Sequence, residues 1–354
     1  EYALGLLPAL LHGAPERALV IGHGAGWTAE AVLSAGVKHV TVAEIDPAVL
    51  DAARAVRGLE RLPVETSADA HLVAADGRVL LRTGPENAPP SNRGGLYDII
   101  ASQPSHPWHP ASGHLFTVEA FREAHAALAD DGVHAQWLNL FEMTPPLLRR
   151  ALASYRAVFE HVWVFRFPGE IVLVGFREQP RIDFGRWESY FAPDRARAKA
   201  ARAAGFGRPG ALLKHLLLDG AALDRLLVHD REVLTDDLPR LELGLARRRV
   251  SAEPSEDVDT LLFEGFPPKL EAALPDSGVR ERWITDAVDA WLQVGATLEA
   301  DLWSRKLRWG ATPAGRSAQA RAALAMGDAA RAETILLAAL ATAPDDGDVA
   351  ALWI

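Results

Sequence analysis

Cysteine is absent from the 354 residues, methionine occurs twice, and lysine supplies only five of the 37 Lys and Arg residues. Without thiols the chain cannot form disulfides, thiolate nucleophiles, iron–sulfur clusters or cysteine-ligated zinc. No apolar run reaches the roughly 20 residues that span a bilayer, so this segment is expected to make no membrane contact. Positive charge is also in deficit. Against 47 Asp and Glu the formal net charge is −10, whereas nucleic acid is held by clustered Lys and Arg. Arg247-Arg248-Arg249 and the Ala/Arg stretch 195–203 read as solvated helix surface, and no nucleic-acid partner is expected. The chain has neither an initiator Met nor a signal-peptide pattern, and it opens Glu1 through Pro8 as if in mid-helix. It reads as a fragment of a longer protein.

What is present is ordinary globular material: 49% hydrophobic and 24% charged residues, with length for about two domains. Short β-branched runs alternate with helical patterns in the first half. Strands are predicted at Arg17–Ile21, His39–Glu44, His71–Ala75, Tyr97–Ala101 and Val133–Trp137, with helices between them, as at Thr117–Leu128. Asp46 and Pro47 stand where a helix begins. Such alternation implies an α/β fold, a doubly wound, mostly parallel sheet with helices on both faces. His161–Phe167 and Ile171–Phe176, joined by Pro168-Gly169-Glu170, predict a terminal antiparallel hairpin. That hairpin fits the S-adenosylmethionine-dependent methyltransferase variant of the fold better than a nicotinamide-binding domain. Residues 85–95 read as an insertion loop, residues 182–250 as mostly helical, and 251–257 as a linker to a helical tail. Within the tail, Ser317–Met326, Gly327-Asp328 and Ala329–Ala341 resemble one tetratricopeptide repeat, which must stack on the helices before it. The expected domains are therefore 1–180, 181–250 and 251–354.

The chemistry-bearing residues gather after the strands. Gly22-His23-Gly24-Ala25-Gly26 joins a strand to a helix, where Gly22, Gly24 and Gly26 let backbone approach a ligand and aim N–H groups at it. Glu44 ends the second strand, where an acid can accept both hydroxyls of a ribose. Asp76-Gly77 ends the third, where a carboxylate can take the exocyclic amine of adenine. Asp98 opens the fourth strand, and it too is expected on the ligand-binding edge. The third glycine comes one residue too early for a dinucleotide fingerprint, which favours a nucleoside without pyrophosphate.

In order and spacing these pieces resemble the spermidine/spermine synthase (polyamine aminopropyltransferase) family. The similarity is to its bacterial branch with an additional, often membrane-spanning N-terminal region. The matching residues are Leu19–Gly26, Val42–Pro47, Ala75–Arg78, Tyr97–Ile100, Pro104–Trp108, Leu115–Thr117 with Phe121, and Gln136-Trp137. Thr235-Asp236-Asp237 and Pro239–Glu242 extend the match to roughly residue 245. The resemblance implies transfer of the aminopropyl group of decarboxylated S-adenosylmethionine to an amine, with release of methylthioadenosine. It implies no metal, a small-molecule amine as partner, and room for a homodimer. It also implies a cytoplasmic segment, with the inner membrane as the tether of the full-length protein. A small β domain precedes this point in the family.

Three positions depart from the family pattern. The general base is replaced by Gln103, a second acid by His106, and an acid in the glycine loop by Ala25. An alkyl ammonium ionises near pH 10.4, so freeing the nucleophile at neutral pH costs roughly 4–5 kcal/mol, and an amide cannot accept that proton. His106 titrates near neutrality and could take over. His106, His109 and His114, with His23 in the glycine loop, otherwise read as pocket-rim histidines or, less favourably, as a metal site. Asp236 and Asp237 read equally as acids folded over the site or as a helix-terminal turn, and Trp108 and Trp137 as possible walls. Two alternatives stay open: a methyltransferase using intact S-adenosylmethionine, which needs no acid at Ala25, and a catalytically degenerate nucleoside-binding protein.

Overall fold

The computed structural model describes residues 1–84, 96–107, 109, 112–180, 198, 201–202, 206–238, 240–242, 244, 258–263, 276–307, 312–344 and 346–352. The insertion loop at 85–95, Trp108, the linker at 251–257, Arg247-Arg248-Arg249 and most of 195–203 lie outside the described residues.

The N-terminal half runs α1 (Tyr2–His12), β1 (Arg17–Ile21), α2 (Trp27–Ser34), β2 (His39–Glu44), α3 (Ala48–Arg57), α4 (Pro63–Thr66), β3 (Ala70–Ala74), α5 (Gly77–Thr83) and β4 (Tyr97–Ser102). A short 3-10 turn, Ser112–Phe116, leads into α6 (Val118–Ala127), β5 (Leu128–Asn139), α7 (Pro145–Arg156), β6 (His161–Phe167) and β7 (Glu170–Phe176). The sheet order is β3-β2-β1-β4-β5-β7-β6, followed by an eighth strand. Strands β1 to β5 are parallel, while β7 enters antiparallel between β5 and β6. This is the mostly parallel α/β sheet with a terminal antiparallel hairpin that the sequence predicts.

Alternation along β1 shows why the sheet forms where it does. Ala18 and Val20 belong to the core shared with α1 and α2, whereas Leu19 and Ile21 belong to the core shared with α5, α6 and α7. Successive side chains on a strand point to opposite faces, so a run apolar at every position must be covered on both. Helix α1 seats closely on α2 at Gly5, where a Cβ would stand 2.3 Å from the Thr28 carbonyl oxygen. That approach brings Glu1 to the carboxyl edge of the sheet.

Part of the region expected to be helical is extended among the described residues. Leu216–Asp219 is a strand, β8, antiparallel to β6, with Val164 opposite Leu218 and Trp163 opposite Asp219. Three consecutive leucines are too few to display a helix or strand period. The uncovered edge of β6 decides the outcome, because its backbone groups need partners.

Beyond β8 come α8 (Gly220–Leu226), α9 (Val258–Phe263), α10 (Ser277–Gln293), α11 (Thr297–Ser304), α12 (Pro313–Ala325), α13 (Ala329–Leu340) and α14 (Gly347–Ala351). Helices α12 and α13 form a hairpin about Gly327, whose φ is +78°. They bury Ala320 and Ala323 against Ala332, Leu336 and Ala339. Ala318 and Ala322 on α12 join Trp303 of α11 and Ile284 and Val288 of α10, so the hairpin stacks on the preceding helices. Among the described residues no helix is long and apolar enough to cross a membrane.

Candidate active site

A cleft of about 800 Å³ opens at the carboxyl edge of the sheet. It is bounded by the loops after β1, β2, β3 and β4 and closed on one side by β5, β7 and the segment around Asp236. Of the residues singled out in the sequence, Gly22, Gly24, Glu44, Asp76, Gly77, Gln103, His106, His109, His114, Trp137 and Asp236 line it.

One end is built on backbone. Gly22, Gly24 and Gly26 adopt φ of +85°, +53° and +87°, a region that costs other residues strain. Space is equally short: a Cβ on Gly22 would lie 2.2 Å from the Gln103 carbonyl oxygen, and one on Gly77 would lie 2.4 Å from Ile21 Cγ2. Glu44 is 6% exposed. Its Oε2 accepts the His23 N–H at 2.8 Å and its Oε1 the Asp46 N–H at 3.0 Å. The carboxylate is thus held by main chain, and each oxygen keeps a lone pair toward the cleft. Asp76 is exposed and caps α5, its Oδ1 accepting the Arg78 N–H at 2.9 Å.

The opposite end is built on side chains. Thr28 Oγ1 lies 2.6 Å from Gln103 Oε1 and 3.1 Å from the Glu1 carbonyl oxygen. One hydroxyl proton serves only one of these acceptors, and turning the Gln103 amide end for end satisfies both. The His106 ring meets the Trp137 ring edge-on at 5.9 Å and the His109 ring at 6.3 Å. Burial pushes the His106 pKa below the ordinary 6.5, and the neighbouring His109 pushes the same way, both favouring the neutral imidazole. Trp137 Nε1–H donates to Glu170 Oε2 at 2.6 Å. Glu170 therefore belongs to the cleft wall, although as the last residue of a Pro-Gly-Glu turn it carries no sign of this in the sequence.

Several expected residues have other placements. His23 is 1% exposed and packs beneath Gly26 without lining the cleft. Asp98 lies at the amino end of β4, on the opposite edge of the sheet. Its Oδ2 accepts the Glu16 and Arg17 N–H groups at 2.8 and 2.9 Å. The expectation that Asp98 shares the ligand-binding edge is thereby corrected: the start of a parallel strand points away from the carboxyl edge. Asp236 accepts from both Arg78 Nη atoms at 2.9 Å and from Thr117 Oγ1 at 2.7 Å. Arg78 also reaches Glu123 through Nε and Nη2. The Arg78 guanidinium, helped by Thr117, holds the Asp236 carboxyl below the usual range. Asp237 is exposed in the turn that Leu238 N–H closes on the Thr235 carbonyl, and it does not line the cleft.

Among the described residues the group with converging ligand atoms is His12, Asp98 and Asp131, not the loop histidines. There His12 Nδ1 accepts the Ala14 N–H at 3.2 Å, which leaves the proton on Nε2, 3.5 Å from Asp131. A metal-bound histidine has the reverse arrangement, its second nitrogen donating.

A family model described as the spermine/spermidine synthase domain matches residues 2–168. A polyamine aminopropyltransferase of Ruegeria sp. (strain TM1040) is 30% identical over 155 residues, covering 44% of this chain and 51% of that protein. One of Nitrosomonas europaea is 33% identical over 155 residues, covering 43% and 44%. The chain thus spans about half the length of the curated relatives it matches. Among solved structures, spermidine synthase from Thermotoga maritima is similar over 51% of this chain and 60% of that one, at 24% identity and a TM-score of 0.42.

Proposed function

We propose, from the match of residues 2–168 to the spermine/spermidine synthase domain, an aminopropyltransferase-like enzyme that binds an adenosyl sulfonium ligand in the cleft. The observation that carries this reading is Glu44. A buried carboxylate, oriented by two backbone N–H groups beside a glycine loop, suits a ribose whose two hydroxyls donate to it. Asp76, which follows the neighbouring strand β3 along the same edge, suits the exocyclic amine of adenine. Gly22, Gly24 and Gly77 keep the floor free of side chains.

At the other end the imidazole of His106, whose pKa burial lowers, is the proton acceptor in this reading. In the proposed step, the acceptor ammonium gives one proton to His106. The freed nitrogen then attacks the methylene carbon bonded to sulfur. The N–C bond forms as the C–S bond breaks, and the electron pair remains on sulfur, releasing neutral methylthioadenosine. The product nitrogen keeps its remaining protons as a secondary ammonium. Gln103 serves as a hydrogen-bonding wall here, not as the base. General-base assistance of this kind is worth about 10²–10⁴-fold.

The test is incubation with decarboxylated S-adenosylmethionine and a panel of di- and polyamines, reading methylthioadenosine. No release with any amine would count against transfer. A methyltransferase reading tolerates Ala25, since it needs no acid at that position. Calorimetric titration with intact and decarboxylated donor separates the two. Activity that arises only in Gln103→Asp or Gln103→Glu would indicate a degenerate natural site.

A further inference from the structure

We propose that a cavity between α11, α12 and α13 binds a small organic anion, its doubly charged head on the arginines and its apolar body on the wall beside them. The cavity holds about 680 Å³, a size usual for small-molecule sites. None of its lining residues lines the cleft at the sheet edge. Four cations, Arg305, Lys306, Arg316 and Arg331, line it, and no carboxylate side chain among the described residues does. In a chain of formal net charge −10 this is a local reversal of sign, placed where partial enclosure weakens solvent screening. Leu307 and Ile335 supply the apolar surface.

Two of the guanidiniums are set in place by one buried acid. The Asp301 side chain is 5% exposed. Its Oδ2 accepts the Arg305 Nε–H at 2.8 Å, and its Oδ1 accepts from Arg331 Nη1 at 2.6 Å. Arg316 is fixed separately: its Nη1 donates to the Ala338 carbonyl and, at 2.9 Å, to Thr342 Oγ1, tying α12 to the end of α13. Gln319 Nε2 donates to the Ser304 and Leu307 carbonyls at 3.1 and 3.0 Å, which holds the turn carrying Arg305 and Lys306.

A guanidinium has five N–H donors. Both Nη atoms of Arg305, and Nε and Nη2 of Arg316, make no hydrogen bond among the described residues. An ion-pair network serving packing alone is complete with Asp301 and its two arginines, and Arg316 adds a charge that this network does not use. The remaining donors are planar forks, which match the oxygens of a phosphate or carboxylate in pairs. A doubly charged head suits the surplus of cations over Asp301, and guanidiniums already held in place lose little freedom when it binds.

The experiment is calorimetric titration of the 354-residue chain with phenyl phosphate, benzylmalonate and inorganic phosphate, at low salt and about pH 8, where a phosphate monoester is doubly charged. At least one of the two aromatic anions is expected to bind about fivefold or more tightly than inorganic phosphate, and the one that does identifies the head as phosphate or dicarboxylate. Arg316→Gln, which leaves the Asp301 network intact, is expected to weaken that anion about tenfold, and Arg331→Gln about 10–100-fold. Arg316→Lys, which keeps the charge and loses the fork, should fall between the parent chain and Arg316→Gln. Failure of both aromatic anions to bind overturns the assignment. Equal binding of inorganic phosphate overturns it too, as does an affinity unchanged in Arg316→Gln, which would locate the anion elsewhere.

Discussion

The two ends of the cleft are built by different means. At the end proposed for the nucleoside, main-chain geometry does the positioning: glycines at positive φ, a carboxylate gripped by two peptide N–H groups, and a helix cap. At the end proposed for the acceptor, the surfaces are side chains from separate segments, linked through Thr28, Trp137 and Glu170. Backbone-held groups depend on local sequence and tolerate few substitutions. Side-chain walls can be rebuilt by replacing one residue and compensating from another strand. Of the departures from the family pattern that the resemblance implies, Gln103 and His106 stand at the side-chain end of the cleft, whereas Glu44 and Asp76 stand at the backbone end.

That contrast can be broken by experiment. Glu44→Ala removes two charge-assisted acceptor positions and leaves the His23 and Asp46 N–H groups without their carboxylate. Methylthioadenosine affinity should fall about 100-fold or more by calorimetry; a loss under fivefold would mean that the nucleoside end is not organised by this acid. Arg78→Met strips Asp236 and Glu123 of their shared cation. Because these groups are partly solvated, urea unfolding should register a loss of about 1–2 kcal/mol. The ends should also separate by pH. Burial lowers the His106 pKa below 6.5, so the neutral base is fully present above that value and is lost as pH falls through it. Turnover should therefore show an acid limb with an apparent pKa under 6.5, about tenfold per unit below it, while nucleoside affinity stays flat from pH 6 to 8. An acid limb that persists in His106→Gln would remove this residue from the base role. The smallest effect is expected at Asp237, exposed and outside the cleft: Asp237→Asn should change stability by no more than about 0.5 kcal/mol and leave amine affinity unaltered.

Much of the architecture is legible in the residues because its causes are local. The β-branched run Ala18–Ile21, the turn at Pro168-Gly169, and the glycine loop each specify their own conformation, and the strands fall within a few residues of prediction. The backbone end of the cleft is legible for the same reason, since each of its groups stands at the end of a strand or just after it. Where the cause is distant, the reading changes. Leu216–Asp219 is a strand because β6 offers an edge. Asp98 carries the same residue type as Asp76 but opens its strand where Asp76 follows one, and so faces the other edge of the sheet.

The sequence by itself determined the layered α/β fold, the glycine loop between β1 and α2, and the absence of any thiol. Tertiary structure decided which acids stand in the cleft and which are already neutralised. Asp236, prominent in its motif, is bound to an arginine 158 positions away in the chain. Glu170, inconspicuous in a turn, is brought by strand pairing to an indole 33 residues distant. A carboxylate's capacity to meet a cation depends on which partners the fold has already given it, and those partners are far apart along the chain.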